Sequence, residues 1–464
     1  MYCLQSRWVL KGRRLIYYGL RNAAQLFHNE IRLSRRQAAV IAALPKELTA
    51  AEQRCLKKLL NVCVVEEEAR RYVPKSLKEA AFCRHCCAND YMIPGLEFDE
   101  RGLCPLCQTE KDTARLRSII PLVRDIPPAA DAPYDVALFY TGGKDSTFLL
   151  HYLARVLGRR VLALTWEIPF MSDSAKLSIA RARERFPDVT FLSRAVDPDD
   201  LRRIYRKLYE LNENTCACPS MAYVMFYPDL VRLRVPCFTV GNEPAQLLGL
   251  YYNHMAPKIA YSFPDNAVLN GLINIGRVLT LHPPLKRGQF HTLTTMKKLA
   301  YGGGLLQKLS GYQNELVDNV VTAIHEVPHL LEPLRKSLRE SSRTGRIPAF
   351  VQLDFDEICG GVYDWNAVNQ QIAEECGWVA PQADDKGLHT SCDIERCKEY
   401  SQFVRFYHCR SRMIPFSALE IALAGRGRNL SREEAIREIE HSCGFSLDEI
   451  PECARMRSVL QEQT

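Results

Sequence analysis

The sequence predicts an α/β fold with a doubly wound parallel sheet. Three observations support this prediction. Short apolar segments alternate with helical segments of about 10–15 residues between positions 136 and 240. A glycine-rich turn joins the first of these apolar segments to the first helix. The 464 residues include 47% hydrophobic and 25% charged residues, which is the composition of an ordinary globular protein with a sizeable core.

The order of the elements follows from the hydrophobic pattern. We expect strands at residues 136–140, 160–166, 189–192 and 237–240. Helices are expected at residues 146–157, 173–186, 198–212 and 221–233. The segment VQLDFDEI predicts one added strand near residues 351–358. Ligands of such sheets bind at the carboxyl ends of the strands, so a functional site is expected there.

Composition and motif positions divide the chain into four parts. Residues 1–78 predict a small α+β unit, either winged-helix-like or a plain capping subdomain, in which Ser34 and Thr49 are helix N-caps. Residues 79–123 predict a zinc-ribbon-like segment, and residues 134–250 contain the sheet. Residues 251–464 predict a mostly helical substrate and C-terminal region.

Composition and charge exclude several classes of protein. No uncharged apolar run approaches the ~20 residues of a membrane span, and the N-terminus lacks the apolar centre of a signal peptide. We therefore expect a cytoplasmic protein with no membrane partner. The net charge of +7 is compatible with a polyanionic ligand but selects none. The 18 cysteines indicate metal ligands or reactive thiols more than disulfides.

The most specific signal is the segment VALFYTGGKDSTFLLHYL, residues 136–153. A strand enters a glycine-rich turn that leads into a helix, so the backbone can approach an anion and the helix N-terminus can attract it. Lys144 adds a positive charge, and hydroxyl groups add hydrogen-bond donors. The predicted phosphate-binding residues are Thr141, Gly142, Gly143, Lys144, Asp145, Ser146 and Thr147.

This loop resembles the SGGxDS loop of the PP-loop ATP pyrophosphatase superfamily, with Thr141 in place of the first serine. It differs from the GxxxxGK[ST] pattern of nucleoside triphosphatases. The resemblance implies a PP-loop, HUP-like fold and an enzyme that uses ATP and Mg²⁺. In that superfamily a substrate carbonyl oxygen attacks the α-phosphorus, pyrophosphate leaves, and a nucleophile then displaces AMP. Lys144, Asp145 and Ser146 would carry the catalysis.

The resemblance also implies roles for residues at the ends of two other strands. Thr165 and Trp166 end the second strand, where backbone groups would hold adenine. Gly241, Asn242 and Glu243 follow the fourth strand, where they would contact phosphates or Mg²⁺. The alternative for this second group is an ordinary polar turn.

Four cysteines have the spacing of a metal site. Cys83, Cys86, Cys104 and Cys107 form the pattern C-x2-C-x17-C-x2-C, which suits four thiolates around one structural zinc ion. The alternative is a group of unligated thiols.

The stretch CRHCCANDYMIPGLEFDERGLCPLC resembles the cysteine-rich segment of the N-acetyl sugar amidotransferases, a PP-loop family. Residues 136–150, 216–249 and 400–440 follow that family's order, whereas Cys409 stands where the family tends to have glycine. The resemblance implies attack of ammonia on the adenylated N-acyl group of a sugar or nucleotide-sugar. It also implies a separate glutaminase or ammonia-delivering partner. This amidotransferase function is the main prediction.

Two other functions remain open. Cys216 and Cys218 precede the fourth strand, and with Cys392 and Cys397 they suit a sulfurtransferase that carries sulfur as a persulfide or on an iron–sulfur cluster. Its substrate would be tRNA or a small amide or peptide, and Cys216 and Cys218 would be catalytic. Buried apolar cysteines are the alternative. A nucleotide-binding partner protein without catalysis is the third function, against which the intact Lys144 to Ser146 sequence argues.

Overall fold

The fold was analysed on a computed structural model of the whole chain. It describes residues 1–5, 7–17, 20, 30–67, 74–93, 96–108, 122–212, 216–253, 267–304, 315–381, 388, 391–407, 414–448 and 450–461. Among the helices of these ranges, none has both the length and the apolar character that crossing a bilayer requires.

The predicted parallel α/β sheet is confirmed. Its five strands are all parallel, and their order across the sheet is Ala349–Phe350, Cys237–Val240, Val136–Phe139, Val161–Glu167 and Thr190–Ala195. The first strand in the chain, Val136–Phe139, is central, and its four residues are all buried. The next two strands extend the sheet to one side and the last two to the other. A doubly wound sheet has its switch point at such a reversal.

The register aligns the carboxyl ends of the two central strands, while the strand Val161–Glu167 continues three residues further. Phe139 lies opposite both Leu164 and Val240 in the ladder. The segments that follow Phe139 and Val240 therefore leave the sheet side by side at the switch point. This is where the sequence predicts the functional site.

Helices account for most of the remaining chain. Between the strands of the sheet they are Lys144–His151, Asp173–Arg185, Pro198–Asn212, Ser220–Arg232, Pro244–Tyr252, Ala267–Leu279, Gln289–Tyr301, Glu315–Ile324 and Leu331–Thr344. After the sheet they are Phe355–Ile358, Trp365–Cys376, Glu395–Tyr407, Phe416–Gly427, Arg432–Cys443 and Pro451–Gln461. A short helix at Pro105–Gln108 precedes the sheet.

The predicted strand near residues 351–358 is largely wrong. Only Gln352–Leu353 is a strand, and it pairs with Leu122–Val123 outside the main sheet. Asp354 accepts a hydrogen bond from the backbone N–H of Glu357 and so starts the helix Phe355–Ile358. The capping carboxylate thus overrides the apolar alternation of this segment.

The first 67 residues have an apolar cluster of their own, which includes Trp8, Leu15, Ile41 and Leu56. Strands Trp8–Lys11, Arg14–Tyr17 and Glu30–Arg32 form an antiparallel sheet, and Tyr2–Leu4 pairs with Val64–Glu66. The two helices are Arg35–Ala42 and Ala50–Leu56. Both predicted N-caps are confirmed, because Ser34 and Thr49 each form a complete capping box. The predicted four-part division of the chain stays a prediction.

A close backbone contact joins the two strand ends at the switch point. A Cβ atom on Gly241 would lie 2.8 Å from the backbone nitrogen of Ser146. Gly142 has a φ of +73°, and a Cβ there would lie 2.6 Å from the backbone oxygen of Ala175. Only glycine fits at these two positions.

We expect Gly241→Ala to destabilise the fold, because the added methyl group must push the backbone of Ser146 away. Overpacking of this kind costs about 1–3 kcal/mol. Urea unfolding measures the loss. Gly271→Ala is the matched control, since a Cβ at Gly271 meets nothing within 4 Å. Alanine should stabilise that helix by up to about 1 kcal/mol. Equal stability of the two variants would contradict the close contact.

Candidate functional site

The glycine-rich loop turns around the start of the helix Lys144–His151. The Ser146 hydroxyl oxygen accepts a hydrogen bond from the Thr141 backbone N–H at 3.2 Å, and the hydroxyl donates to the Gly143 carbonyl at 3.2 Å. Thr141 Oγ1 lies 3.2 Å from the same hydroxyl. These bonds fix the loop before any ligand is present, and they leave the helix N-terminus facing the carboxyl edge of the sheet. Such a terminus attracts anions.

Not every residue of the predicted loop faces this edge. Thr147 is 1% exposed, and its hydroxyl lies 3.4 Å from the hydroxyl of buried Tyr140. Its side chain therefore belongs to the core below the loop. Thr165 and Trp166 lie at the predicted carboxyl end of their strand. The Thr165 hydroxyl donates to the Tyr140 carbonyl at 2.9 Å.

The turn after the fourth strand brings a buried acid to the loop. Glu243 is fully buried, and burial together with the nearby Glu420 carboxylate raises its pKa to about 8. The Lys144 charge acts in the opposite direction. The neighbouring Asn242 uses its backbone carbonyl to accept from the Gln352 amide at 2.9 Å.

A bridging amide links the loop to the C-terminal helices. Gln246 Nε2 donates to Glu420 Oε1 at 3.1 Å and lies 3.4 Å from Asp145 Oδ2. Asp145, Glu243 and Glu420 thus surround one end of the loop. Carboxylate oxygens are the ligands that Mg²⁺ prefers, so Asp145 and Glu243 have the chemistry to hold one beside a phosphate.

Two aromatic residues form the wall next to Lys144. The Lys144 ammonium lies 3.8 Å from the ring centroid of Trp365 and 5.1 Å from that of Tyr363. The Tyr363 hydroxyl donates to Asp145 Oδ1 at 2.7 Å. The sequence analysis missed Glu420, Tyr363 and Trp365. They are more than 200 residues from the loop, and no local motif marks them.

The predicted catalytic thiols lie near the same edge. Cys218 and Pro219 precede the helix Ser220–Arg232, whose first turns pack Tyr223 against Phe139, with ring centroids 5.1 Å apart. Phe139 is the carboxyl end of the central strand. Cys392 pairs with Met171, which follows the carboxyl end of the strand Val161–Glu167.

The environment activates one of these thiols. A hydrogen bond with Cys218 is the main factor that lowers the pKa of Cys216 to about 7, and the positive charge of Lys398 acts in the same direction. The pKa of Cys218 is raised in turn, because it shares that bond. A lowered pKa increases the share of the thiolate, which is the reactive form of a cysteine.

The fourth predicted sulfur ligand lies elsewhere. Cys397 Sγ is 2.9 Å from Cys453 Sγ, and both cysteines are buried between the helices that carry them. Burial is the main cause that raises the pKa of Tyr205. The nearby thiols of Cys218, Cys392 and Cys216 raise it further. Cys397 therefore has a buried partner of its own, and a sulfur site on Cys216, Cys218 and Cys392 stays a prediction.

Cys83, Cys86, Cys104 and Cys107 come together as the spacing predicts. Their four sulfur atoms lie within 4.8 Å of one another, and in the described ranges this is the group that satisfies that distance. Two of the S–S distances are 3.7 and 3.8 Å. Four thiolates at about 2.3 Å from one tetrahedral ion would be about 3.8 Å apart. The group has the size for a single metal ion.

Backbone groups prepare this site for thiolates. Cys83 Sγ accepts from the backbone N–H of Cys104 at 3.3 Å, and Cys86 Sγ accepts from that of Ala88 at 3.3 Å. A hydrogen bond with Cys104 is the main factor that lowers the pKa of Cys83. The segment is tied to the C-terminal helices by Arg432, which donates to the Cys83 carbonyl at 3.0 Å.

Comparisons with known proteins find similarity among solved structures. No family model matches the chain, and no curated protein matches it. Among solved structures, the U34-tRNA thiolase NcsA from Methanococcus maripaludis with its [4Fe-4S] cluster is similar over 83% of this chain and 99% of its own. The identity is 13% and the TM-score is 0.27. At that score the likeness carries no argument about the activity of this chain.

We expect the purified protein to contain about one metal ion per chain, bound by the four clustered thiols. Cys104→Ser combined with Cys107→Ser should remove it and lower the thermal midpoint, because thiolate binding is coupled to folding. Cys87→Ala is the matched control, since Cys87 is buried beside the group but is not one of its four ligands. Elemental analysis measures the metal. Full metal content in the double variant would contradict the assignment.

Proposed function

We propose that the protein is an ATP-dependent PP-loop enzyme that adenylates a carbonyl oxygen of its substrate and releases pyrophosphate. One observation carries the proposal. The TGGKDS loop starts a helix at the switch point of a parallel sheet and is in backbone contact with Gly241. Its own Asp145 lies near the Glu243 carboxyl of the neighbouring turn. A preorganised anion site next to carboxylates suits a nucleotide bound with Mg²⁺.

Each residue of the loop has a role in this proposal. The backbone N–H groups of the first helical turn and the Ser146 hydroxyl bind the β- and γ-phosphates of ATP. Lys144 stabilises the negative charge that develops as pyrophosphate leaves. Asp145 and Glu243 hold Mg²⁺, which neutralises phosphate charge. The backbone groups of Thr165 and Trp166 remain the predicted adenine contacts.

For the second step we propose a sulfur nucleophile carried by Cys216. The observation in its favour is the thiol with a pKa near 7 on the carboxyl side of the sheet. A Cys216 persulfide attacks the adenylated carbon, and AMP leaves with the activated oxygen. Cys218 thiolate then attacks Cys216 sulfur, which releases the thiocarbonyl product and leaves a Cys216–Cys218 disulfide. An external thiol reductant restores both thiols. A sulfane-sulfur donor outside this chain, of the persulfide class, then transfers its outer sulfur to the Cys216 thiolate and leaves as a thiol, which regenerates the persulfide. The substrate would be tRNA or a small amide or peptide.

Ammonia is the second candidate nucleophile. The order of the segments at residues 83–107, 136–150, 216–249 and 400–440, which resembles the N-acetyl sugar amidotransferases, favours it. Ammonia from a separate glutaminase would attack the adenylated N-acyl group of a sugar or nucleotide-sugar. In this case Cys216 and Cys218 would have no chemical role.

We also propose that the four clustered thiols hold zinc in a structural site. Four protein thiolates leave no open coordination position, so the ion would have no direct part in catalysis. The alternative occupant is iron, and the elemental analysis described above distinguishes the two. An iron–sulfur cluster on Cys216, Cys218 and Cys392 is the alternative form of the sulfur carrier.

Turnover of ATP·Mg should yield pyrophosphate and AMP. Lys144→Ala or Ser146→Ala should lower the rate about 10²–10³-fold, the size of effect expected for loss of one preorganised charge-stabilising group. Product analysis by ³¹P NMR measures both results. Lys207→Ala is the control, because Lys207 lies outside the loop helix and forms an ion pair with Glu210 within the helix Pro198–Asn212. Formation of ADP and phosphate by the wild-type protein would contradict the proposed function.

The nucleophile can be tested by the pH dependence of alkylation. Because the thiolate is the reactive form, Cys216 should reach half of its maximal iodoacetamide rate near pH 7, and Lys398→Met should shift this point upward. Cys359 is the internal control, since it is exposed to the reagent while partial desolvation and the Asp364 carboxylate raise its pKa to about 11. Peptide mass spectrometry follows both sites. Equal rates at pH 7.5 would contradict an activated Cys216, and full ammonium-dependent activity of Cys216→Ser would favour the amidotransferase.

A further inference from the structure

The Lys144 side chain has an unusual environment for a phosphate-binding lysine. Its ammonium lies over the ring of Trp365 at 3.8 Å and 3.3 Å from Asp145 Oδ1, and only 16% of its side chain is exposed. A lysine that projects from a loop into water loses much rotamer freedom when it binds a ligand. Here the aromatic wall has already restricted that freedom.

The wall is rigid because it is tied to three other parts of the fold. Tyr363 is fully buried and packs edge-on against Phe148 of the loop helix at 5.2 Å and against Phe355 at 4.9 Å. Asn429 bridges the two aromatic positions. Its side-chain amide donates to the Tyr363 backbone carbonyl at 2.9 Å, and its backbone carbonyl accepts from the Trp365 backbone N–H at 3.0 Å.

A ring and a carboxylate hold a cation in different ways. A salt bridge neutralises the ammonium, and a phosphate must then compete with the carboxylate. The face of an indole ring attracts the ammonium through its quadrupole but adds no negative charge. Trp365 therefore holds Lys144 without adding a second carboxylate to its salt bridge with Asp145. Trp365 is also oriented by its indole N–H, which lies 3.4 Å from Glu243 Oε2.

We infer that Trp365, supported by Tyr363, is a positioning residue that holds Lys144 in its phosphate-binding position before the nucleotide arrives. The inference deepens the proposed function and rests on it, because the ligand of Lys144 is the pyrophosphate part of ATP. Trp365 touches no reacting atom and positions Lys144 through its ring. Its indole N–H also donates to Glu243, and both Trp365→Leu and Trp365→Phe remove that contact, so the part of binding that phenylalanine restores belongs to the ring and Lys144.

The test is a double-mutant cycle on the binding of ATP·Mg and of pyrophosphate·Mg, measured by calorimetry. Trp365→Leu should weaken both about tenfold, as expected for loss of a desolvated cation–π contact. Trp365→Phe should restore part of the loss, because a phenyl ring keeps a weaker contact. In a Lys144→Met background, Trp365→Leu should have no further effect. Trp378→Phe, a buried tryptophan outside the loop, is the control.

A second readout needs no ligand. In the ligand-free protein, Lys144→Met should shift tryptophan emission, and the shift should be absent in a Trp365→Leu background. Lys207→Met should give none. An equal loss of binding from Trp365→Leu with and without Lys144, or no loss at all, would overturn the inference. Failure of the wild-type protein to bind ATP and pyrophosphate would overturn the proposed function instead, and the emission shift would show that the contact itself exists.

Discussion

The contact between Gly241 and the backbone of Ser146 is the constraint on which the site depends. The strands Val136–Phe139 and Cys237–Val240 are neighbours in the sheet, and the chain leaves them on opposite sides of the switch point. Because Gly241 has no side chain, the turn after the fourth strand can lie directly on the first turn of the loop helix. This close approach brings Glu243 and Gln246 to Asp145.

The C-terminal helix Phe416–Gly427 connects the loop to the cysteine segment. Its Glu420 accepts from Gln246 beside the loop, and its Arg426 donates to the carbonyl of Leu106 at 2.6 Å. Leu106 lies between the third and fourth of the clustered cysteines. The helix Phe416–Gly427 thus contacts the four-thiol segment through Arg426 and the loop region through Glu420. Folding of the four-thiol site would therefore help to fix the position of Glu420. A structural metal there would act on the site through packing alone.

Local patterns were enough to predict the four strands between residues 136 and 240, the loop and the four-cysteine group, but not the segment at residues 351–358. The helix Pro198–Asn212 and the strand Cys237–Val240 have the bounds that the sequence predicts. Thr147 shows the limit: the motif includes it, but helix geometry turns its side chain into the core. Trp365 and Glu420 reach the loop only through tertiary packing. Their local sequence gives ordinary helix signals, so no reading of single segments could identify them.

The charges around the loop explain why a cation and the phosphates would have to bind together. The carboxylates of Asp145 and Glu420 lie beside the loop, and Lys144 alone would not offset them together with several phosphate charges. Burial raises the pKa of Glu243 to about 8, so near neutral pH this carboxyl is mostly protonated. In the proposed function a divalent cation would favour the ionised form, and Glu243 would release its proton on becoming a ligand. Glu243 would thus be neutral in the absence of the cation and would add negative charge only when the cation is there to offset it.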